Sequence, residues 1–530
     1  MADPSLRSRF ARSVRFEDDL PIDVRDGVWL ALAVLPALVS VAVYLATNPY
    51  PAYGAGLYAQ IAREIVANGY LPPARIPGYT ADGVPFAYPP LQFYVFAVLR
   101  DIGVGPVAVA RFLPAVAVVA VQVPVYVLAR DLLDSRPAGT VAAAGVALNP
   151  QILEWHLSAG GVVRGFAFLY ALTAICAGYR LFTTGDLRAL VAGVVAFGLT
   201  VLSHPTYTLF TVVSYLLLWL ALDRSLAGLV RGAAVGVGGA VVASPWLLWA
   251  VSTHGPGVFT SAAGTHGGIG GGVGAIFGGI SVYSLVPLLA AAYLLVVRRD
   301  LLLPAWVVVA ELLFQQPRFV YTVGTFALVA VGFDLVRRFS LAERLGRTLG
   351  GRADGTDWRA AGVAALVVVA SLGGGTVLAY QNTLPSDPST PEFLDDEAVD
   401  AMAWAEAETP PDATFVVLGD AAEWFPALTQ RTILVGMWGV EWEEPEVYEA
   451  QTDAYVNAST CQSVGCVETA MQSVDANPDY VYVPKGRYTV RGASEVQFGT
   501  LERSFEASQR WELAFENDGV AVYRSLARGE

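Results

Sequence analysis

The ionisable side chains of this chain are few, and those at the ends of its apolar runs are where chemistry would reside. The stretch NPQILEWHLSAGGVVRG sets Glu154, His156 and Arg164 at one such junction. Charged groups this close to a bilayer are usually paired with one another or functional. Arg318, in QQPRFVYTV, opens another apolar run. Its guanidinium is a planar fork that suits either a phosphate ligand or lipid headgroups. His204, in LSHPTYTLF, precedes Pro205 at a turn between two runs, and His254, in SPWLLWAVSTHGPG, lies just past the end of a third. With His156 and His266 these are all four histidines, and all fall on one expected rim. Ionisable groups gathered on one rim point to a polar cavity opening to that side, although an interface that tolerates histidine gives the same pattern.

The segment 47–88 adds a second group. In GLYAQIAREIVANG, Leu57, Tyr58, Ile61, Ala62, Ile65 and Val66 form a helical stripe, with Gln60, Arg63, Glu64 and Asn68 opposite. A helix so patterned lies along a membrane surface. LPPARIPGYTADG follows, with Arg75 and Asp82, and then the aromatic, proline-led VPFAYPPLQFYVFAVL. A structural lid would carry much the same sequence. The glycine-rich Gly264–Gly279 lacks the lysine and serine of a phosphate-binding P-loop and reads as a mobile lid. His254 and His266, twelve residues apart, make a poor metal site.

The elements that position these residues follow from hydropathy. The 530 residues are 55% hydrophobic and 15% charged, which excludes disorder and indicates a membrane protein. About eleven apolar runs are long enough to cross ~30 Å of hydrocarbon. They are 28–46, 106–129, 139–153, 163–182, 189–203, 206–222, 230–251, 274–297, 301–315, 319–336 and 360–379. Residues 1–27, with Arg7, Arg9, Arg12 and Arg15, form a cytoplasmic N-terminal segment before a retained first span. Arg130, Arg136, Arg188, Arg224, Arg231, Arg298, Arg299 and the arginines from Arg337 to Arg359 then fall on the cytoplasmic side. An odd number of spans puts residues 381–530 outside. The expected protein is thus a multi-pass cell-membrane protein with an α-helical domain at 28–380, surface helices within 47–100 and an extracellular α/β domain.

The tail's sequence agrees. NAST at Asn457 is an N-glycosylation sequon, and Cys461 and Cys466 suit a disulfide in an oxidising compartment. The segments ATFVVLGD, TILVG, PDYVYVPKG and WELAFENDGVAVYRS read as strands, and DDEAVDAMAWAEAET and AAEWFPALTQR as helices. The tail holds 27 acidic and 8 basic residues, and Lys485 is the one lysine of the chain. An acidic, lysine-poor surface fits a high-salt organism; an acidic ectodomain from a GC-rich genome reads the same way.

In order and type, these pieces resemble the integral-membrane glycosyltransferases of the C superfamily, and among them haloarchaeal proteins. That superfamily includes protein O-mannosyltransferases, lipid A aminoarabinose transferases and oligosaccharyltransferase catalytic subunits. The resemblance rests on LYAQIAREIVANGYLP after a first span, YPPLQFYVFAVL leading into GPVAVARFLPAVAVVAVQVPVYVLARDL, SAGGVVRGFAFLYALTA, LSHPTYTLF, SPWLL and PRFVYTVGTFALV. It implies transfer of a sugar from a polyprenyl-phosphate carrier, in membrane lipid, to a glycan, lipid or protein acceptor on the outer face. It also implies a carboxylate that acts as base or holds a divalent cation (Mg or Mn), with arginine or histidine steadying the leaving phosphate. Arg63, Arg164, Arg318, His204 and His254 are the donor-phosphate candidates. The superfamily's acidic residue early in the first outer loop is absent from PAYGAGLY, so Glu64, Asp82 and Glu154 are candidate catalytic carboxylates by location alone. A fold kept for glycolipid binding or as a scaffold, without catalysis, is the second reading. A transporter ranks last, because inverted repeats and charges at mid-membrane are lacking. No nucleic-acid partner is expected.

Overall fold

The computed structural model describes residues 26–259, 282–314, 316–338, 355–384 and 390–526. Most of the segment 1–27 expected to be cytoplasmic, the segment Gly264–Gly279 with His266, and the middle of the arginine series lie outside the described residues.

The chain is a polytopic, mostly helical membrane protein. Among the described residues seven helices are long and apolar enough to cross a bilayer: Asp26–Thr47, Pro106–Leu133, Gly161–Thr184, Pro205–Leu222, Leu226–His254, Pro317–Arg338 and Ala361–Asn382. Leu187–Val201, Ser284–Arg298 and Leu302–Phe314 are shorter apolar helices. The expected run 139–153 is instead two short helices, Arg136–Ala147 and Pro150–Leu157, parted where Asn149 caps the second by accepting from the Gln151 amide. Pro106–Leu133 is interrupted at Val121. Pro124 explains the break, since it has no N–H to return to the Ala120 carbonyl.

Burial separates interior from periphery. Gly161–Thr184 is largely enclosed, whereas Leu226–His254 and Ala361–Asn382 present rows of bare apolar side chains, among them Val237, Val241, Leu248, Leu366, Val369 and Leu372. Such a band is stable only against lipid.

The helix ends remote from the C-terminal domain are tied by arginine–aspartate pairs. Buried Asp26 accepts from Arg130 at 2.7 Å, Arg136 at 2.8 Å and the Tyr126 hydroxyl at 2.7 Å. Asp131 holds Arg130 and Arg180, Asp223 holds Arg231, and Asp334 holds Arg298 and Arg338.

At the other ends sits an α/β domain. Its five-stranded sheet runs β4–β3–β5–β9–β8. Here β3 is Thr414–Val417, β4 Thr432–Ile433, β5 Tyr480–Pro484, β8 Trp511–Glu516 and β9 Val520–Ser525, while β1 (Arg75–Ile76) and β2 (Val84–Pro85) form a small hairpin in the first loop. β3 is parallel to β4 and β5, and β9 antiparallel to β5 and β8. The five sheet strands fall in the four segments read as strands from sequence, the last of which, a hairpin, supplies both β8 and β9. A further hairpin, β6 (Gly486–Val490) with β7 (Ala493–Gln497), and the helices Pro445–Thr460, Val464–Gln472 and Thr500–Glu506 had no clear sequence signal. Cys461 and Cys466 form a disulfide, and Cys176 is free. Asn457 is exposed on the helix Pro445–Thr460, while Ser459 of the same sequon is buried and accepts from the Gly419 amide.

The domain clasps the first loop. Asn48 donates to the Thr390 carbonyl, the Tyr53 amide to the Pro391 carbonyl at 2.7 Å, and the Ile433 amide to the Gly78 carbonyl at 2.9 Å. Tyr50 donates to Asp396, and Arg75 pairs with Glu443. The helix Gly56–Ala67 is therefore covered by protein, and even Gln60 on its polar face is buried.

Candidate functional site

The Gly161–Thr184 and Pro317–Arg338 helices each put an arginine one turn or less from their start, against the same indole. The Arg164 guanidinium lies 5.0 Å from the Trp155 ring centre and that of Arg318 lies 6.0 Å from it. Arg318 also covers Tyr207 at 5.5 Å and Phe319 at 5.2 Å. Among the described residues neither arginine has a carboxylate within ion-pair distance. Arg164 makes no hydrogen bond to a described residue. Arg318 donates through Nη2 to Gln316, but its buried Nε has no acceptor. Arg318 thus keeps a buried donor unspent in the field of a second guanidinium, an arrangement that suits an anion.

His156 and Tyr207 frame this pair. His156 Nδ1 lies 2.6 Å from the Ile152 carbonyl and must donate to it, so Nε2, 2.6 Å from the Tyr207 oxygen, accepts the tyrosine proton. Burial, then the nearby Arg318 charge, pushes His156 down to about 3, so it stays neutral. Its ring stacks on Phe168. His204 caps the Pro205–Leu222 helix through Nδ1 and sets its ring edge-on to Tyr88 and Tyr207. Tyr58 and Tyr88, from the first loop, lie within electrostatic reach of Arg164.

The charge of Arg164 reaches two carboxylates of the C-terminal domain that lie beyond ion-pair distance. Glu423 ends the turn Asp420–Glu423, and Glu441 lies in the turn Val440–Trp442. Burial raises Glu423 to about 8, helped by Asp420 and Glu441 and opposed by Arg164. Burial raises Glu441 to about 7, again opposed by Arg164. Neither was a sequence candidate. Each sits in an acidic domain whose many carboxylates look alike, and only the fold singles these two out.

The expected site residues divide into two sets. Arg164, Arg318 and His204 converge on the Trp155–Tyr207 group. Glu154 lies beside it: its Oε1 accepts from the Tyr53 hydroxyl at 3.0 Å, Tyr53 stacks on Trp155, and the Arg318 charge reaches Glu154. Glu154 lines a separate cavity of about 280 Å³ with Tyr44, Leu378 and Thr390. The others are elsewhere. Arg63 donates to Gln430 at 2.6 Å, and Glu64 accepts a long 3.4 Å bond from Gln60. Asp82 is exposed on the β1–β2 hairpin, where Arg75 binds its carbonyl rather than its carboxylate. His254 lies against Trp249 and the Phe86 main chain. Location on the first loop did not bring Arg63, Glu64 and Asp82 in: Arg63 turns to Gln430 of the covering domain and Asp82 to the surface.

No group of three or more His, Cys, Asp or Glu side chains among the described residues is arranged to hold a metal ion.

Residues 87–249 match the family model of dolichyl-phosphate-mannose-protein mannosyltransferases. No curated protein sequence matches the chain. Among solved structures, the chain is similar to ArnT of Cupriavidus metallidurans bound to undecaprenyl phosphate (TM-score 0.52, 16% identity, 94% of this chain and 98% of that one). It is similar to the Archaeoglobus fulgidus oligosaccharyltransferase tethered to an acceptor peptide containing an NVT sequon (TM-score 0.52, 17% identity, 86% and 69%). It also resembles the mycobacterial arabinofuranosyltransferase AftD (TM-score 0.57, 16% identity), with 95% of this chain over 40% of that one. At these identities the likeness is one of fold alone.

Proposed function

We propose that the protein is a membrane glycosyltransferase that takes a sugar from a polyprenyl-phosphate carrier and passes it to an acceptor on the outer face of the cell membrane. One observation carries this reading: Arg318, buried with its Nε unsatisfied, and the half-buried Arg164 lie over the same Trp155 ring at the ends of two membrane helices, and among the described residues neither has a carboxylate within ion-pair distance. A phosphate bound there would take bidentate hydrogen bonds and cancel the repulsion between the two cations. In the transition state the breaking glycosyl–phosphate bond leaves more charge on the phosphate, which is where fixed guanidiniums stabilise it most. Aromatic rings around the pair suit a sugar's apolar faces, and the polyprenyl chain would remain in lipid. The matched mannosyltransferase family and the undecaprenyl phosphate in ArnT support this donor class.

The tail is read as extracellular, with the arginine–aspartate ties on the cytoplasmic side. Its acidity and single lysine support a high-salt, haloarchaeal setting. The alternative, a binding or scaffold protein without turnover, draws on the absence of an acid at Gly54.

The test uses purified full-length protein with a panel of labelled polyprenyl-phosphate sugars that includes dolichyl-phosphate-mannose. Release of the sugar to acceptor or water, lost in Arg164→Ala, is expected. Tight binding of undecaprenyl phosphate with no turnover of any donor would leave the binding-protein reading.

A further inference from the structure

The first loop has no carboxylate between Ala52 and Gly56, but one is present there in space. Gly54 and Gly56 are absent from the glycines with positive φ, so neither is glycine for its own backbone conformation. Close approach requires them instead. A Cβ on Gly54 would fall inside the Glu423 carboxylate, and one on Gly56 would meet the Glu423 main-chain carbonyl. The C-terminal domain thus lays the Asp420–Glu423 turn directly on this loop.

That turn is held firmly. The Asp420 carboxylate accepts from the Tyr455 hydroxyl at 2.6 Å and from the Arg491 and Gly492 amides at 2.8 Å. The Tyr79 hydroxyl donates to the Glu423 carbonyl. Glu423 itself is 7% exposed, with Trp438 donating to its carboxylate and Arg164 as the cation in its field. Glu154, by contrast, is bonded to Tyr53 and lines the neighbouring cavity.

We propose that Glu423, delivered by the C-terminal domain into the space left open at Gly54, is the catalytic carboxylate of the transfer. This rests on the glycosyltransferase reading. The ionised Glu423 takes the proton of an acceptor hydroxyl. The acceptor oxygen bonds to the anomeric carbon as the bond from that carbon to the phosphate oxygen breaks. The bonding pair leaves with the polyprenyl phosphate, held by Arg164 and Arg318, and the proton stays on Glu423 until water removes it. The groups facing Glu423 are Asp420, Glu441 and Tyr455 of its own domain, Tyr58 and Tyr79 of the first loop, and Arg164. Its raised titration, near 8, makes transfer increase as the pH rises through that range.

The experiment compares wild type, E423Q, E423A and the double variant G54D/E423A as full-length protein. Undecaprenyl phosphate binding and turnover of the polyprenyl-phosphate sugar that wild type uses best are both measured. E423Q is expected to bind undecaprenyl phosphate as wild type does and to lose roughly 10²–10⁴ in kcat. G54D/E423A, which moves the carboxylate onto the loop where the larger side chain is gone, is expected to recover at least about tenfold over E423A. Its pH limb is expected below that of wild type, as befits an aspartate at a less enclosed position. Wild-type kcat in folded E423Q overturns the assignment. Equal loss of binding and turnover in E423Q, with no recovery in the double variant, also overturns it and leaves Glu423 a docking residue. Absence of turnover in wild type instead sinks the glycosyltransferase reading.

Discussion

The carboxylate of Glu423 occupies the space that a side chain on Gly54 would fill, although the two residues lie on different domains. The same turn presses its main chain against Gly56. The two glycines therefore do different work. Gly56→Val collides with rigid backbone and is expected to lift the C-terminal domain from the loop, costing about 1–3 kcal/mol and exposing the segment 390–395 to limited proteolysis. Gly54→Ala collides with a side chain that can turn aside. It is expected to retain most of the stability but lose turnover. Equal protease resistance in Gly56→Val and wild type would contradict the docking.

Burial of Glu423 links stability to pH. Its ordinary value of 4.5 in the unfolded chain rises to about 8 in the folded protein. A carboxyl raised in this way contributes stability fully below pH 4.5, and that contribution is lost as the pH climbs through about 8. Thermal unfolding between pH 5 and pH 9 should therefore show wild type losing ground to E423Q. Parallel curves for the two proteins would mean that the carboxyl is not desolvated.

At the opposite end of the bundle, Asp26 is the buried acceptor for Arg130, Arg136 and Tyr126. Removing it takes from two guanidiniums and a tyrosine the buried acceptor they share, while Arg130 keeps Asp131. Asp26→Ala is expected to cost about 3–5 kcal/mol, seen as a lower unfolding temperature in detergent. Arg188→Ala, at a helix start where the Asp186 side chain caps the main chain rather than the guanidinium, should cost far less. A similar loss in both variants would show that the Asp26 network carries no special weight.

The sidedness of the chain is open to direct labelling. Phe498, 79% exposed on the C-terminal domain, replaced by cysteine in a Cys176→Ala background, should react with an impermeant thiol reagent on intact cells. Reaction only after lysis would reverse the topology.

How much of this could be read from the sequence depends on the scale of the signal. Apolar runs and arginine placement are summed over many residues, which is why the long helices and the tied ends were legible. Arg164, Arg318 and His204 were legible because an ionisable group at a helix end is rare. Arg63, Glu64 and Asp82 misled because a polar helix face looks the same whether it meets water or another domain. Here Gln430 and the β1–β2 hairpin account for Arg63 and Asp82. Glu423 was invisible for the opposite reason. It lies more than 350 residues from Gly54 in the chain, one acid among 27 in the tail, and only tertiary structure brings it to the loop.

The central claim is that Arg164 and Arg318 together hold the phosphate of a polyprenyl carrier. Binding of undecaprenyl phosphate and of the uncharged alcohol undecaprenol to purified wild type, Arg164→Ala and Arg318→Ala tests it most directly. Hydrogen bonds to charged groups contribute about 1.5–3 kcal/mol each. Wild type should therefore prefer the phosphate strongly, and each variant should bind it about 10- to 100-fold more weakly with undecaprenol unaffected. Equal affinity of wild type for both lipids, or unchanged phosphate affinity in both variants, would contradict the account.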